Sequence, residues 1–274
     1  MNASRSSKQQ FNISLNNFIL ATPIKFGTDG WRAIIAADFT VENVARVTEA
    51  TGIWLKTQFE NPTVVIGHDC RFAGELFMET AAKVLLAQGI QIKMARGFVS
   101  TPMISLAANQ LGCEIGIIIT ASHNPPSYNG FKLKAKFGGP LEPEKVNEVE
   151  ALIPDVCSID FQATDLQGAL SSGQLEEIDI ETRYINHVKA NFDLAAIRNS
   201  GLKLMYDAMY GAGQRALPLV LPEVDLLHCE PNPSFMGTAP EPIAKNLQEL
   251  AQTIKSRGDI SCALATDGDA DRIG

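Results

Sequence analysis

The chain has 274 residues, 45% of them hydrophobic and 20% charged, enough for one large or two medium globular units. With 23 Lys and Arg against 31 Asp and Glu, its formal net charge is -8. That argues against nucleic acid or an anionic membrane as the main partner and leaves phosphorylated small molecules open, because local charge decides their binding.

Residues 1–22 are polar, carry Arg5 and Lys8, and contain no acid. They lack the apolar stretch of a secretory signal and read as a disordered tail, with a short organellar transit peptide as the alternative and the cytoplasm as the expected location. Asn12-Ile13-Ser14 matches a glycosylation sequon, read as a chance match. From residue 23 onward apolar runs alternate with helical spacing. Strands are expected over 63–67 (TVVIG), 90–95 and 113–120 (CEIGIIIT), with helices over 75–88 and 103–110. Pro154, Gly168 and Ser171-Ser172-Gly173 mark 154–173 as a linker. Beyond it, helices are expected over 179–197, 214–221 (broken by Pro218) and 244–256, strands over 202–206, 225–229 and 260–265, and a proline-rich loop over 232–242. Strand–helix alternation of this kind makes an α/β layer. The five cysteines, Cys70, Cys113, Cys157, Cys229 and Cys262, form no CxxC pair and fit a reducing compartment; Cys113 and Cys262 lie in apolar runs and read as core.

Four segments at strand ends carry chemistry. In 266–272 (TDGDADR), Asp267, Asp269 and Asp271 alternate with small residues, so an extended loop turns all three to one point. Three hard oxygen donors plus a phosphate oxygen suit Mg²⁺; a solvated acidic turn is the alternative. An EF-hand fits poorly, because Arg272 stands where that loop needs glycine. In 120–126 (TASHNPP), Ser122 follows an apolar strand, as a nucleophile or phosphoryl carrier would, or else belongs to a polar turn before Pro125-Pro126. The glycines of a hydrolase elbow are missing, and His123 as sequence neighbour need not be its base. Lys132, Lys134 and Lys136 share one face of a strand, where they steer a phosphosugar and supply a proton-transfer amine, or else protect an edge strand. In 25–32 (KFGTDGWR) two glycines let amides approach an anion and Arg32 grips phosphate, or the segment is an ordinary turn. GHDCR at 67–71 ends in Arg71, which reads as a side chain that orients a loop.

In this order and spacing, FGTDGWRA, GHDCR, TASHNPPSYNGFK and TDGDADRIG resemble the α-D-phosphohexomutase superfamily of phosphoglucomutases and phosphomannomutases. The resemblance implies an α/β fold of two successive three-layer domains with mixed sheets, 23–153 and 174–274, the second truncated and the family's third and fourth domains absent. It implies Ser122 as the phosphoserine and a ligand of Mg²⁺, with Asp267, Asp269 and Asp271 as the other ligands. Arg32, Lys132 and Arg272 match phosphate-binding side chains, and Ser122, His123, Lys132 and Arg32 the catalytic set. The implied reaction interconverts hexose 1-phosphate and hexose 6-phosphate through phosphoserine and a hexose 1,6-bisphosphate, which also serves as activator; as a fragment, the polypeptide is expected to turn over little. The implied partner is a hexose phosphate, with no nucleic acid and no membrane. A Mg²⁺-dependent phosphatase and a non-catalytic phosphosugar-binding remnant are the competing readings.

Overall fold

The computed structural model describes residues 23–274; the tail, transit-peptide and sequon readings lie outside the described residues. The first unit runs β1 (Trp31–Ile34), α1 (Val41–Gln58), β2 (Thr63–His68), α2 (Gly74–Ala87), β3 (Gln91–Ala95), α3 (Thr101–Gln110), β4 (Ile115–Ile119), β5 (Tyr128–Ala135), α4 (Pro143–Ala151), α5 (Leu166–Ser172) and β6 (Leu175–Ile178). Its six-stranded mixed sheet has the order β1-β5-β4-β2-β3-β6, with β5 antiparallel to both its neighbours. Both faces are covered, which is why β2 and β4 read as unbroken apolar runs. The two-residue period sends Val64, Ile66, Ile117 and Ile119 to the face packed by Val47, Leu55, Phe77 and Leu85. Val65 and Ile118 go to the opposite face, against Met103, Ile104 and Ala107 of α3. Trp31, Phe39 and Phe77 close the first core as a stacked and an edge-on pair, at 4.7 and 4.8 Å between centroids.

The second unit runs α6 (Ile180–Asn191), α7 (Leu194–Arg198), β7 (Leu204–Asp207), α8 (Ala216–Val220), β8 (Asp225–Leu227), α9 (Gln248–Arg257) and β9 (Cys262–Ala265). Its sheet order is β8-β7-β9, and all three strands are parallel rather than mixed. Ile185, Val188 and Val220 cover one face, Leu250 and Ile254 the other. Each unit is therefore three-layered, and the chain connections switch sides at β7.

Several expectations need correction. The segment 154–173 is not a free linker: α5 buries Ala169 in the first core, with Leu166 and Leu170 packed against it, and the chain then enters β6, which pairs in parallel with β3. The first unit therefore extends through Ile178. The helix expected over 179–197 breaks at extended Phe192, and Asp193 caps a separate α7 by accepting from the Ala196 amide. Pro218 does not break α8, because it sits in the first turn, where an amide has no helical acceptor. The helix expected from 244 starts at Gln248, because the Asn246 side-chain Nδ2 is tied back to the carbonyls of Ala239 and Glu241. Cys113 is fully buried as expected, but Cys262 is exposed. Among the described helices, none is long and apolar enough to cross a membrane.

Candidate active site

Two loops meet where the carboxyl ends of the parallel strands converge: residues 120–127 after β4 and 266–272 after β9. Ser122 is fully buried and held in the left-handed region at φ 52°. Its amide donates to Thr120 Oγ1 at 2.9 Å, and the Thr120 hydroxyl donates to Asp69. Arg71, ion-paired at 3.4 Å with Asp69, donates to the carbonyls of Ser122 (2.6 Å), Asn124 (2.7 Å), Pro125 (2.8 Å) and Tyr128 (2.9 Å). A loop with its carbonyls gathered on one buried guanidinium is a built feature, more than a polar turn before Pro125-Pro126. Arg71 thus orients that loop, the role its motif suggested.

The Ser122 hydroxyl donates to Asp267 Oδ2 at 2.7 Å. The other oxygen of Asp267 accepts the amides of Asp271 (3.1 Å) and Arg272 (3.2 Å), so this carboxylate also shapes its own loop. Asp269 Oδ2 accepts from the Thr101 hydroxyl and from Lys132 Nζ (2.7 Å), and its main-chain oxygen accepts the Thr101 amide at 2.9 Å. Asp269 is fully buried, yet its Oδ1 has no hydrogen-bond partner among the described residues. Oxygens of Asp267, Asp269 and Asp271 lie within 4.8 Å of one another.

Lys132 answers part of that negative charge. Its ammonium lies 2.7 Å from Asp29, 2.7 Å from Asp269 and 3.1 Å from Asp271, with no exposed side-chain surface. Burial alone would push Lys132 down, but the three carboxylates outweigh it and hold the group protonated, above the ordinary lysine value. The same contact wins over burial at Asp29 and Asp269, both held below the usual carboxylate range. Among the described residues no cation is ion-paired with Asp267; burial and the neighbouring Asp269 charge push it up to about 7. The edge-strand alternative for the lysines fails, because β5 lies between β1 and β4 and buries Lys134 as well, 3.5 Å from Asp29. Lys136 is exposed and pairs with Glu114.

Arg32 donates to Asn124 Oδ1 at 2.7 Å and lies 3.9 Å from Asp29. Arg272 donates to His123 Nδ1 at 2.7 Å, and that nitrogen is 3.5 Å from Ser122 Oγ. Burial, then Arg272 and Arg32, lower the His123 pKa, so the ring is neutral near pH 7 with Nδ1 as the acceptor. Arg32, Arg272 and Lys25 line an open groove of about 460 Å³ together with the 27–30 turn. At that turn Gly30 has φ 98°, and a Cβ would stand 2.7 Å from the Phe131 carbonyl.

The structure thus brings Ser122, His123, Lys132, Arg32, Arg272 and all three aspartates to one place. Asp29, Thr101 and Asp69 were not singled out by their own chemistry. Asp29 lay inside a quoted motif; Thr101 follows Ser100, the N-cap of α3, a pattern that signals only a helix start. The donor set suits a small hard cation: oxygen donors, a sealed Asp269 Oδ1 with no hydrogen-bond partner among the described residues, and two cations, Lys132 against Asp269 and Asp271 and Arg272 Nε 3.7 Å from Asp271, set against three carboxylates.

The description "Phosphoglucomutase/phosphomannomutase, alpha/beta/alpha domain I" fits residues 23–158, and the corresponding domain II description fits 182–274. The phosphoglucomutase/phosphomannomutase of Thermococcus kodakarensis is 34% identical over 252 residues, covering 90% of this chain and 54% of that protein. The phosphoglucosamine/phosphogalactosamine mutase of Sulfurisphaera tokodaii is 30% identical, over 90% of this chain and 53% of its own. A solved Thermus thermophilus structure, described as a phosphomannomutase, is 36% identical with a TM-score of 0.84, covering 93% of this chain and 57% of that one. The chain spans about half the length of the curated relatives it matches.

Proposed function

This chain belongs to the phosphoglucomutase/phosphomannomutase family, and from that premise we propose that it carries the nucleophile and metal site of a hexose-phosphate mutase. The observation that carries the reading is the Ser122 hydroxyl donating to Asp267 inside a three-aspartate cluster that keeps one sealed oxygen unpartnered. Mg²⁺, held by Asp267, Asp269, Asp271 and an oxygen on Ser122, would neutralise charge on the transferring phosphoryl group.

The chain's own residues supply positioning and protons. In loading from a hexose 1,6-bisphosphate, the bond from phosphorus to the sugar oxygen breaks and a bond to Ser122 Oγ forms. The Oγ proton, directed at Asp267 Oδ2 while that oxygen is free of metal, must leave as the bond forms; neutral His123, with Nδ1 3.5 Å from Oγ, takes it when Arg272 turns from that nitrogen to the phosphate. The departing sugar oxygen needs a proton, and Lys132 Nζ, which carries one in the site, is the candidate donor. In the return direction phosphoserine breaks its O–P bond as phosphorus bonds to a hydroxyl of a hexose monophosphate, with the protons running back. Arg32 and Arg272 flank the groove in which the phosphate dianion would lie. Positioning and charge neutralisation are what phosphoryl transfer chiefly requires.

The test follows small-molecule products by ³¹P NMR after mixing the protein with glucose 1,6-bisphosphate and Mg²⁺. The mutase reading expects hexose monophosphate in step with protein phosphorylation. Inorganic phosphate released without a phosphoprotein would contradict it and favour a phosphatase.

A further inference from the structure

The loop after β8, residues 231–242, was legible only as a proline-rich connection, yet it reaches both halves of the site. Phe235 is 1% exposed, sits at φ 48°, and places its ring 5.1 Å from the Arg71 guanidinium. Arg71 is the group that gathers four carbonyls of the Ser122 loop. Five residues on, the Pro240 carbonyl accepts the Gly268 amide at 3.2 Å, in the middle of the aspartate loop. Gly268 is wedged between the two: a Cβ there would stand 2.4 Å from the Ser122 carbonyl and 2.9 Å from Pro240 Cγ. Asn246 locks the far end of the loop through the carbonyls of Ala239 and Glu241.

We propose that residues 231–242 form a positioning strap that sets the register of the nucleophile loop against the aspartate loop. Phe235 acts through Arg71 on Ser122, and Pro240 acts through Gly268 on the aspartates. The aromatic face matters because a cation sealed among carbonyls gains from a ring quadrupole what water would otherwise supply. The backbone cost of a left-handed Phe at a buried contact is consistent with a position held for function rather than for packing alone. Phe235 is a positioning residue and touches no substrate; the proposal uses the phosphoryl-transfer reading only for its kinetic test.

Two variants test it. Phe235→Leu keeps apolar bulk and removes the ring; Phe235→Tyr keeps the ring, at a residue that lines a cavity of about 200 Å³. In Phe235→Leu, amides of residues 121–128 should exchange hydrogen about tenfold faster while the first-sheet core stays protected. The rate constant for Ser122 phosphorylation at saturating glucose 1,6-bisphosphate should fall about 20-fold with the half-saturating concentration unchanged. Phe235→Tyr should stay within about twofold of the parent in both. Unchanged exchange at 121–128 in Phe235→Leu, exchange that rises equally across the whole chain, or a Tyr variant as impaired as the Leu variant overturns the strap. Were the parent itself not phosphorylated on Ser122, the mutase reading would fall and the exchange data alone would decide the strap.

Discussion

Ser122, which follows β4 of the first unit, donates its hydroxyl at 2.7 Å to Asp267, which follows β9 of the second, across 145 positions of sequence. The serine loop and the aspartate loop are therefore assembled from different sheets, and each is oriented by its own support. Arg71 gathers the first loop, and Thr101 with Lys132 holds the second.

Asp269→Asn should abolish tight divalent-ion binding. The change keeps the shape but removes the charge of a fully buried carboxylate whose Oδ1 has no hydrogen-bond partner among the described residues. Titration calorimetry with Mn²⁺ as the probe should show affinity at least about 100-fold weaker. Unchanged affinity would place the ion elsewhere.

Metal affinity should depend on pH through Asp267. Its carboxyl is pushed up to about 7, mainly by burial and then by Asp269. Below that pH a proton competes with the ion, so apparent Mn²⁺ affinity should drop about tenfold per unit of pH, and Asp267→Asn should flatten the slope. The metal-free stability contribution has the opposite sign. A raised carboxyl binds its proton more tightly in the native state than in the unfolded one. Its contribution therefore rises as pH falls through about 7, readable as the difference in melting temperature between parent and Asp267→Asn.

Lys132→Met should destabilise the metal-free protein by about 3 kcal/mol, because Asp29, Asp269 and Asp271 lose the ammonium that faces all three. Added Mg²⁺ should recover part of the loss by supplying positive charge at the same cluster. Thermal melts with and without Mg²⁺ check this; a variant as stable as the parent would mean that the buried lysine is not what offsets these carboxylates.

Thr101→Val should leave the fold intact and loosen Asp269, since it removes the hydroxyl bond while the Thr101 amide bond to the Asp269 main chain remains. A loss of about threefold to tenfold in Mn²⁺ affinity is expected. No change would assign the orientation of Asp269 to Lys132 alone.

The layered α/β rhythm was legible because strands covered on both faces write themselves as runs such as IGIII, and helices as periodic stripes. The gathering of Ser122 and the three aspartates was legible because they sit in short loops whose residue types have few other uses together. What escaped were relationships made only by folding. Lysines on alternate positions look the same on an edge strand as on a central one; only the carboxylates of Asp29, Asp269 and Asp271, brought from both units, let Lys132 be buried. Polar composition over 154–173 concealed the few apolar side chains of α5, and β6 is recognised by its partner β3 rather than by its own LEEI sequence. The role of Arg71 could be guessed as orienting a loop, but its four carbonyl partners and Phe235 could not.

The central claim is that Ser122 accepts a phosphoryl group in a site completed by the 267–271 aspartates. The most direct measurement mixes the protein with glucose 1,6-bisphosphate and Mg²⁺ and maps phosphate by peptide mass spectrometry, with Ser122→Ala and Asp269→Ala as controls. The account predicts one phosphate on Ser122, lost in both variants and when Mg²⁺ is chelated. Phosphate on another residue, or on Ser122 regardless of Asp269 and Mg²⁺, would contradict it.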